Sequence, residues 1–159
     1  MIAVVEGSYG GGYDQQAHVS VVQSFRDHAS GLAPLSIKTT RKESIENNLK
    51  KAKGEGCIGV IVDIVRPKNG RVMPAEEWKI LVKTCQMLEL IVIADETLTA
   101  IRCGAPFAYQ RAEYWGFAPD LVLFGKGLQA NVIAIDWDGA FVKSLGYSDP
   151  SSGQPEGPK

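Results

Sequence analysis

The chain has 159 residues, 45% of them hydrophobic, which is enough for one domain with a core of its own. Seventeen Lys and Arg stand against eighteen Asp and Glu, a formal charge of -1, and the densest basic run is Lys50, Lys51 and Lys53, so neither nucleic acid nor an anionic membrane is expected as a partner. Three widely spaced cysteines, Cys57, Cys85 and Cys103, suit reduced thiols better than a disulfide framework or a zinc site, and no metal is expected.

Met1 leads straight into IAVV with no basic n-region, and no apolar run reaches transmembrane length, so a cytoplasmic protein is expected, or a mitochondrial one if a presequence lies upstream. Strands are predicted at 2–5 (IAVV), 33–38 (APLSIK), 57–63 (CIGVIVD), 90–96 (LIVIADE), 120–124 (DLVLF) and 132–136 (VIAID). Helical spacing separates them. Ile45, Leu49 and Ala52 make one apolar stripe over 44–53, and Trp78, Leu81, Val82, Cys85 and Leu88 a clearer one over 75–88, with Pro74 at its start. Weaker helical patterns cover 15–27 and 107–115.

The strands at 57 and 90 are apolar almost throughout, as in a parallel sheet covered on both faces. Strand and helix in alternation predict an α/β fold, a three-layer sandwich with a mostly parallel sheet. Residues 147–159, YSDPSSGQPEGPK from Tyr147, are rich in Pro, Ser and Gly and read as a disordered tail after a domain at 1–146.

Ligands of open parallel sheets bind beyond the carboxyl ends of the strands. Glu6, Asp63, Asp95, Glu96 and Lys126 all fall at such ends. Asp95 and Lys126 each follow an apolar strand so closely that a partner is expected for both, because an unpaired charge at a core edge costs several kcal/mol. Two nucleotide motifs fail: Asp120 and Gly127 occupy positions where GxxxxGK[ST] needs glycine and a hydroxyl, and the glycines of EGSYGGGYDQ do not form GxGxxG.

The run LIVIADETLTAIRCGAPFAYQRAEYWGFAPDLVLFGKGL resembles the class III aminotransferases, fold type I enzymes that use pyridoxal 5'-phosphate (PLP). Asp95, Glu96, Thr99, Arg102, Gly104, Phe107, Pro119, Asp120 and Lys126 match that family's pattern in order, with Asp95 and Lys126 31 residues apart. EGSYGGG and VIVDIVRPKNGRVMP extend the likeness over about 2–136. It implies part of a PLP-binding large domain, a transaminase in which Lys126 forms the Schiff base, Asp95 pairs with the pyridine nitrogen, and Tyr9 and Thr97 flank the ring, with Gly10 and Leu98 also at the cofactor. It further implies an amino-acid or amine substrate, a 2-oxo acid acceptor and a homodimer.

Departures from the family pattern are Gly10 in place of histidine, Asp63-Ile64 in place of Glu-Pro, Ala100 in place of glycine, and Leu98 where many members have glutamine. Leu98 makes DETLTAIR similar to the glutamate-1-semialdehyde aminomutases, so an isomerase of that kind is the alternative, with a noncatalytic interaction remnant beside it. The family's phosphate-binding turn would fall before Met1. Arg66 and Arg102 are open as contacts for a substrate carboxylate. Asp63, Asp95 and Lys126 also compare with phosphoacceptor receiver domains, but those carry paired acids after the first strand, where this chain has Glu6 and Gly7.

Overall fold

In the computed structural model, residues 1–9, 35–38, 42–67, 69–126 and 132–135 are described. Gly10, the helical pattern at 15–27 and the segment 147–159 lie outside them. Six strands form one sheet: β1 (Ile2–Val5), β2 (Ser36–Ile37), β3 (Gly59–Val62), β4 (Ile91–Asp95), β5 (Leu121–Phe124) and β6 (Val132–Ile135). Their spatial order is β2-β1-β3-β4-β5-β6. All pairings are parallel except β5 with β6, which is antiparallel. Helices α1 (Lys42–Gly54) and α2 (Ala75–Met87) are the crossovers that enter β3 and β4, and they pack against each other. The α/β reading of the sequence thus holds, with a mostly parallel sheet.

The helices form where the apolar stripes lie. Ile45, Leu49 and Ala52 of α1 and Trp78, Leu81, Val82 and Cys85 of α2 are fully buried, whereas Leu88, just past the last turn, is only half-buried. They meet Ala3, Val5, Val60, Val62, Val92 and Ala94, the alternate residues of three neighbouring strands, in one core. Each fully buried Val, Leu or Ile contributes on the order of 1.5–3 kcal/mol. Val4, Ile61 and Ile93 alternate with these and face the other side of the sheet.

Trp78 ties three elements together. Its indole N–H donates to the Phe117 carbonyl at 2.8 Å, and its ring meets Tyr114 edge-on at 6.5 Å between centroids. The Tyr114 hydroxyl in turn donates to the Met73 carbonyl at 2.6 Å.

The segment 107–115 is not the helix its pattern predicts. It holds two three-residue 3-10 turns, Ala108–Gln110 and Ala112–Tyr114, separated by Arg111 in an extended conformation (φ -65°, ψ 150°). Tertiary bonds override the local period: the Tyr109 N–H donates to Glu96, Tyr114 must reach Met73, and Phe107 packs on Tyr109 and Phe124. Among the described residues no helix is long and apolar enough to cross a membrane, and all three cysteines are free.

Candidate cofactor site at the carboxyl edge of the sheet

Strand register brings the polar residues to one edge. Ala94 pairs with Val62 and Val122, and Val4 pairs with Ile61, so the chain leaves β1, β3, β4 and β5 side by side at Glu6, Asp63, Glu96 and Gly125. The order of strands reverses between β1 and β3, since β2 lies on one side of β1 and all later strands on the other. At such a switch point the two outgoing loops part and leave a crevice. Ser8 and Tyr9 stand on its β1 side, with Asp63 and Arg66 on the β3 side.

Asp95, the last residue of β4, continues the alternation of Ile91 and Ile93 and so faces away from the helices. It is 8% exposed. Thr97 donates to its Oδ1 twice, from the backbone N–H at 3.0 Å and from Oγ1 at 2.6 Å. Among the described residues these are the donors to Asp95, which leaves Oδ2 open to a ligand proton. Asp95 therefore has the expected partner, and Thr97 supplies it by turning its hydroxyl back onto the acid. Leu98 follows, half-buried.

Lys126 differs from expectation. It is exposed, and among the described residues it makes no ion pair. The reason is the glycine before it: Gly125 is buried and has φ 129°, a conformation that side chains disfavour, and this turn carries the lysine clear of the core. Because Asp95 pairs with Leu123, Lys126 and Asp95 leave neighbouring strands at the same edge.

Asp63 was expected at a strand end but given no part in the cofactor site, and Ser8 was not expected there. The Tyr9 N–H donates to Asp63 Oδ2 at 2.8 Å, the Asp63 N–H donates to Ser8 Oγ at 3.0 Å, and Arg66 Nη1 donates to Ser8 Oγ at 3.1 Å. Burial, followed by the charge of nearby Asp95, pushes the Asp63 carboxyl up to about 7; bonds from Tyr9 and Ser8 and the charge of Arg66 oppose the rise. Arg66 is buried and bonded to Ser8, and Arg102 is exposed, so the two arginines considered for substrate binding sit in different settings.

Glu96 points the other way from Asp95. It is 1% exposed, accepts the Thr99 hydroxyl on Oε2 and the Tyr109 N–H on Oε1 at 3.2 Å, and is bonded by the Ala108 N–H as well. Burial raises its carboxyl above the ordinary range. The Asp120 carboxylate accepts the Val92 N–H at 2.7 Å and its own N–H returns to the Val92 carbonyl, which seats the start of β5 against β4.

The Asp63 shift makes stability depend on pH. A carboxyl raised from its ordinary 3.8 to about 7 holds its proton more tightly in the folded state, so its favourable effect is complete below about pH 4 and is lost as pH rises towards 7. Asp63→Asn removes this dependence. Denaturant unfolding should show the variant gaining on the wild type by a few kcal/mol between those limits; a difference independent of pH would contradict the placement of Asp63.

The fold is similar to part of the fold of solved transaminases. Among solved structures the chain is similar to the lysine aminotransferase from M. tuberculosis (TM-score 0.73, 17% identity, covering 92% of this chain and 37% of that one). It is similar also to an S-selective transaminase from Arthrobacter sp. (TM-score 0.70, 19% identity, 100% and 40% covered). A third is the omega transaminase from Pseudomonas jessenii in complex with PMP (TM-score 0.64, 19% identity, 83% and 34% covered). The chain thus spans about two-fifths or less of the length of these proteins. No family model matches the sequence, and no curated protein matches it at a significant level.

Proposed function

We propose that residues 1–146 are part of a PLP-binding domain of class III aminotransferase type, acting in amino-group transfer between an amino acid or amine and a 2-oxo acid within a homodimer. The observation that carries this reading is that Asp95 and Lys126 leave the neighbouring strands β4 and β5 at the same edge of the sheet, with Asp95 Oδ2 open and Lys126 engaged by no acid among the described residues. The likeness in fold to transaminases, one of them a PMP complex, supports it.

The residues present fit the group. Asp95 is a half-satisfied carboxylate at the end of an apolar strand, suited to accept a pyridinium N–H through Oδ2, a charge-assisted bond that contributes about 1.5–3 kcal/mol. Thr97 fixes the carboxylate through both of its bonds to Oδ1, and Tyr9 from the adjoining loop together with Thr97 and Leu98 would flank the ring. The exposed Lys126 amine would hold the cofactor through its aldehyde and, when free, could move a proton of the substrate. Bound PLP supplies the electron sink for that proton's departure.

Titration of the protein with PLP should give a new visible absorbance, and borohydride reduction should fix the cofactor mass on the peptide that contains Lys126. Lys126→Ala should abolish both. Equal spectra for the two proteins would rule out attachment at Lys126.

A further inference from the structure

The loop that carries Tyr9 is fastened in an unusual way. Three polar side chains, Ser8, Asp63 and Arg66, are 1%, 3% and 5% exposed, and burying polar groups costs free energy unless each is bonded. Bonds among them and to Tyr9 run across the β1/β3 crevice. Tyr9 N–H reaches Asp63 Oδ2 at 2.8 Å, and the Ser8 hydroxyl takes both the Asp63 N–H and Arg66 Nη1. Gly7 has φ 85°, and a Cβ placed there would lie 3.6 Å from Arg66 Cδ, so the arginine stem packs along the turn that starts the loop.

We propose that Asp63 is a positioning residue, whose carboxylate anchors the Tyr9 backbone and so fixes the aromatic ring relative to Asp95. This rests on the cofactor reading above. One carboxyl reaches both halves of the site: it bonds the loop that bears the ring and is the electrostatic neighbour of the acid. A purely apolar contact could hold the loop, but it would not set the direction of the Tyr9 N–H, because hydrogen bonds are directional and apolar contacts are not. Arg66, drawn in by Ser8, balances part of the charge that two neighbouring acids place at the crevice.

Amide hydrogen exchange at Tyr9 tests the anchor in cofactor-free protein. Asp63→Ala should speed exchange on the order of tenfold, whereas Asp63→Asn, whose amide oxygen still accepts the bond, should stay near the wild type. With PLP added, the visible circular dichroism band of the bound cofactor should change in the Ala variant and recover in the Asn variant.

Unchanged Tyr9 exchange in Asp63→Ala overturns the anchor, and so does an Asn variant that exchanges as fast as the Ala one. Altered exchange with the same circular dichroism in all three proteins overturns the positioning role. A wild type that takes up no PLP overturns the cofactor reading and the positioning role with it, while the exchange data still report the anchor separately. If Asp63→Ala fails to fold, Ser8→Ala replaces it: loss of the shared hydroxyl should loosen the same amide, and unchanged protection there overturns the anchor.

Discussion

Replacing Trp78 by alanine is expected to cost about 4 kcal/mol, the largest loss of stability from any single side chain described above. The ring is fully buried among the residues of α2 and the strands, and truncating a buried Trp costs about 3–5 kcal/mol through lost burial and the cavity left behind. The Phe117 carbonyl also loses its donor, and Tyr114 loses the ring it meets edge-on. For a chain of this size the loss lowers the melting temperature by roughly 10 °C. Trp78→Phe should lose less, because the ring remains and only the N–H and part of the volume go. Urea unfolding of the two variants measures the difference; a Trp78→Ala protein within about 1 kcal/mol of the wild type would contradict a packed junction between α2 and the 108–117 segment.

Asp95→Ala is expected to weaken PLP binding by a factor of about 10 to 150, the equivalent of one hydrogen bond between charged groups. Thr97 would lose the acceptor of both its bonds, so the strand end would loosen as well. Asp95→Asn separates the two effects: it keeps an acceptor for Thr97, but a neutral amide does not favour a protonated ring nitrogen. Its affinity should fall while its thermal stability stays close to that of the wild type. Equal PLP affinity for the wild type and both variants, measured by equilibrium titration of the visible absorbance, would remove Asp95 from the site.

Much of the sheet could be read from local pattern. The β1 boundaries agree with the run IAVV, and the cores of β3, β4 and β5 fall inside the predicted stretches. Parallel strands buried on both faces leave near-continuous apolar runs, a strong signal. The α2 stripe was equally plain because Trp78, Leu81, Val82 and Cys85 keep helical spacing and all enter the core. The 107–115 segment departs from its pattern because its hydrogen bonds to Glu96 and Met73 and its ring contact with Phe124 go to residues distant in sequence.

The site was legible only in part for the same reason. Asp95 and Lys126 stand at strand ends, which a sequence shows, but the anchor joins Tyr9 to Asp63 across 54 residues and depends on β1 lying next to β3. No spacing encodes that adjacency. A signal was present in the form of an acid directly after VIV and a serine beside the tyrosine, yet either is ordinary at a loop start. Lys126 was misjudged in one respect: a charge next to a core suggested a partner, whereas a single buried glycine with positive φ was enough to take it into solvent.

The two consecutive acids at the end of β4 face opposite sides, and their order therefore matters more than their number. Asp95 faces away from the helices and is held by Thr97, while Glu96 grips Thr99, Ala108 and Tyr109 under the helical layer. The peptide between them works like a rivet through a plate, headed on both sides. A chain with the same composition but with Glu before Asp would place the longer acid on the Thr97 side and leave the shorter one reaching for the 108–109 amides. Drift in the packed interior and drift in the site are thus tied through one peptide bond, so that the rear of the sheet cannot be remodelled without the front registering it.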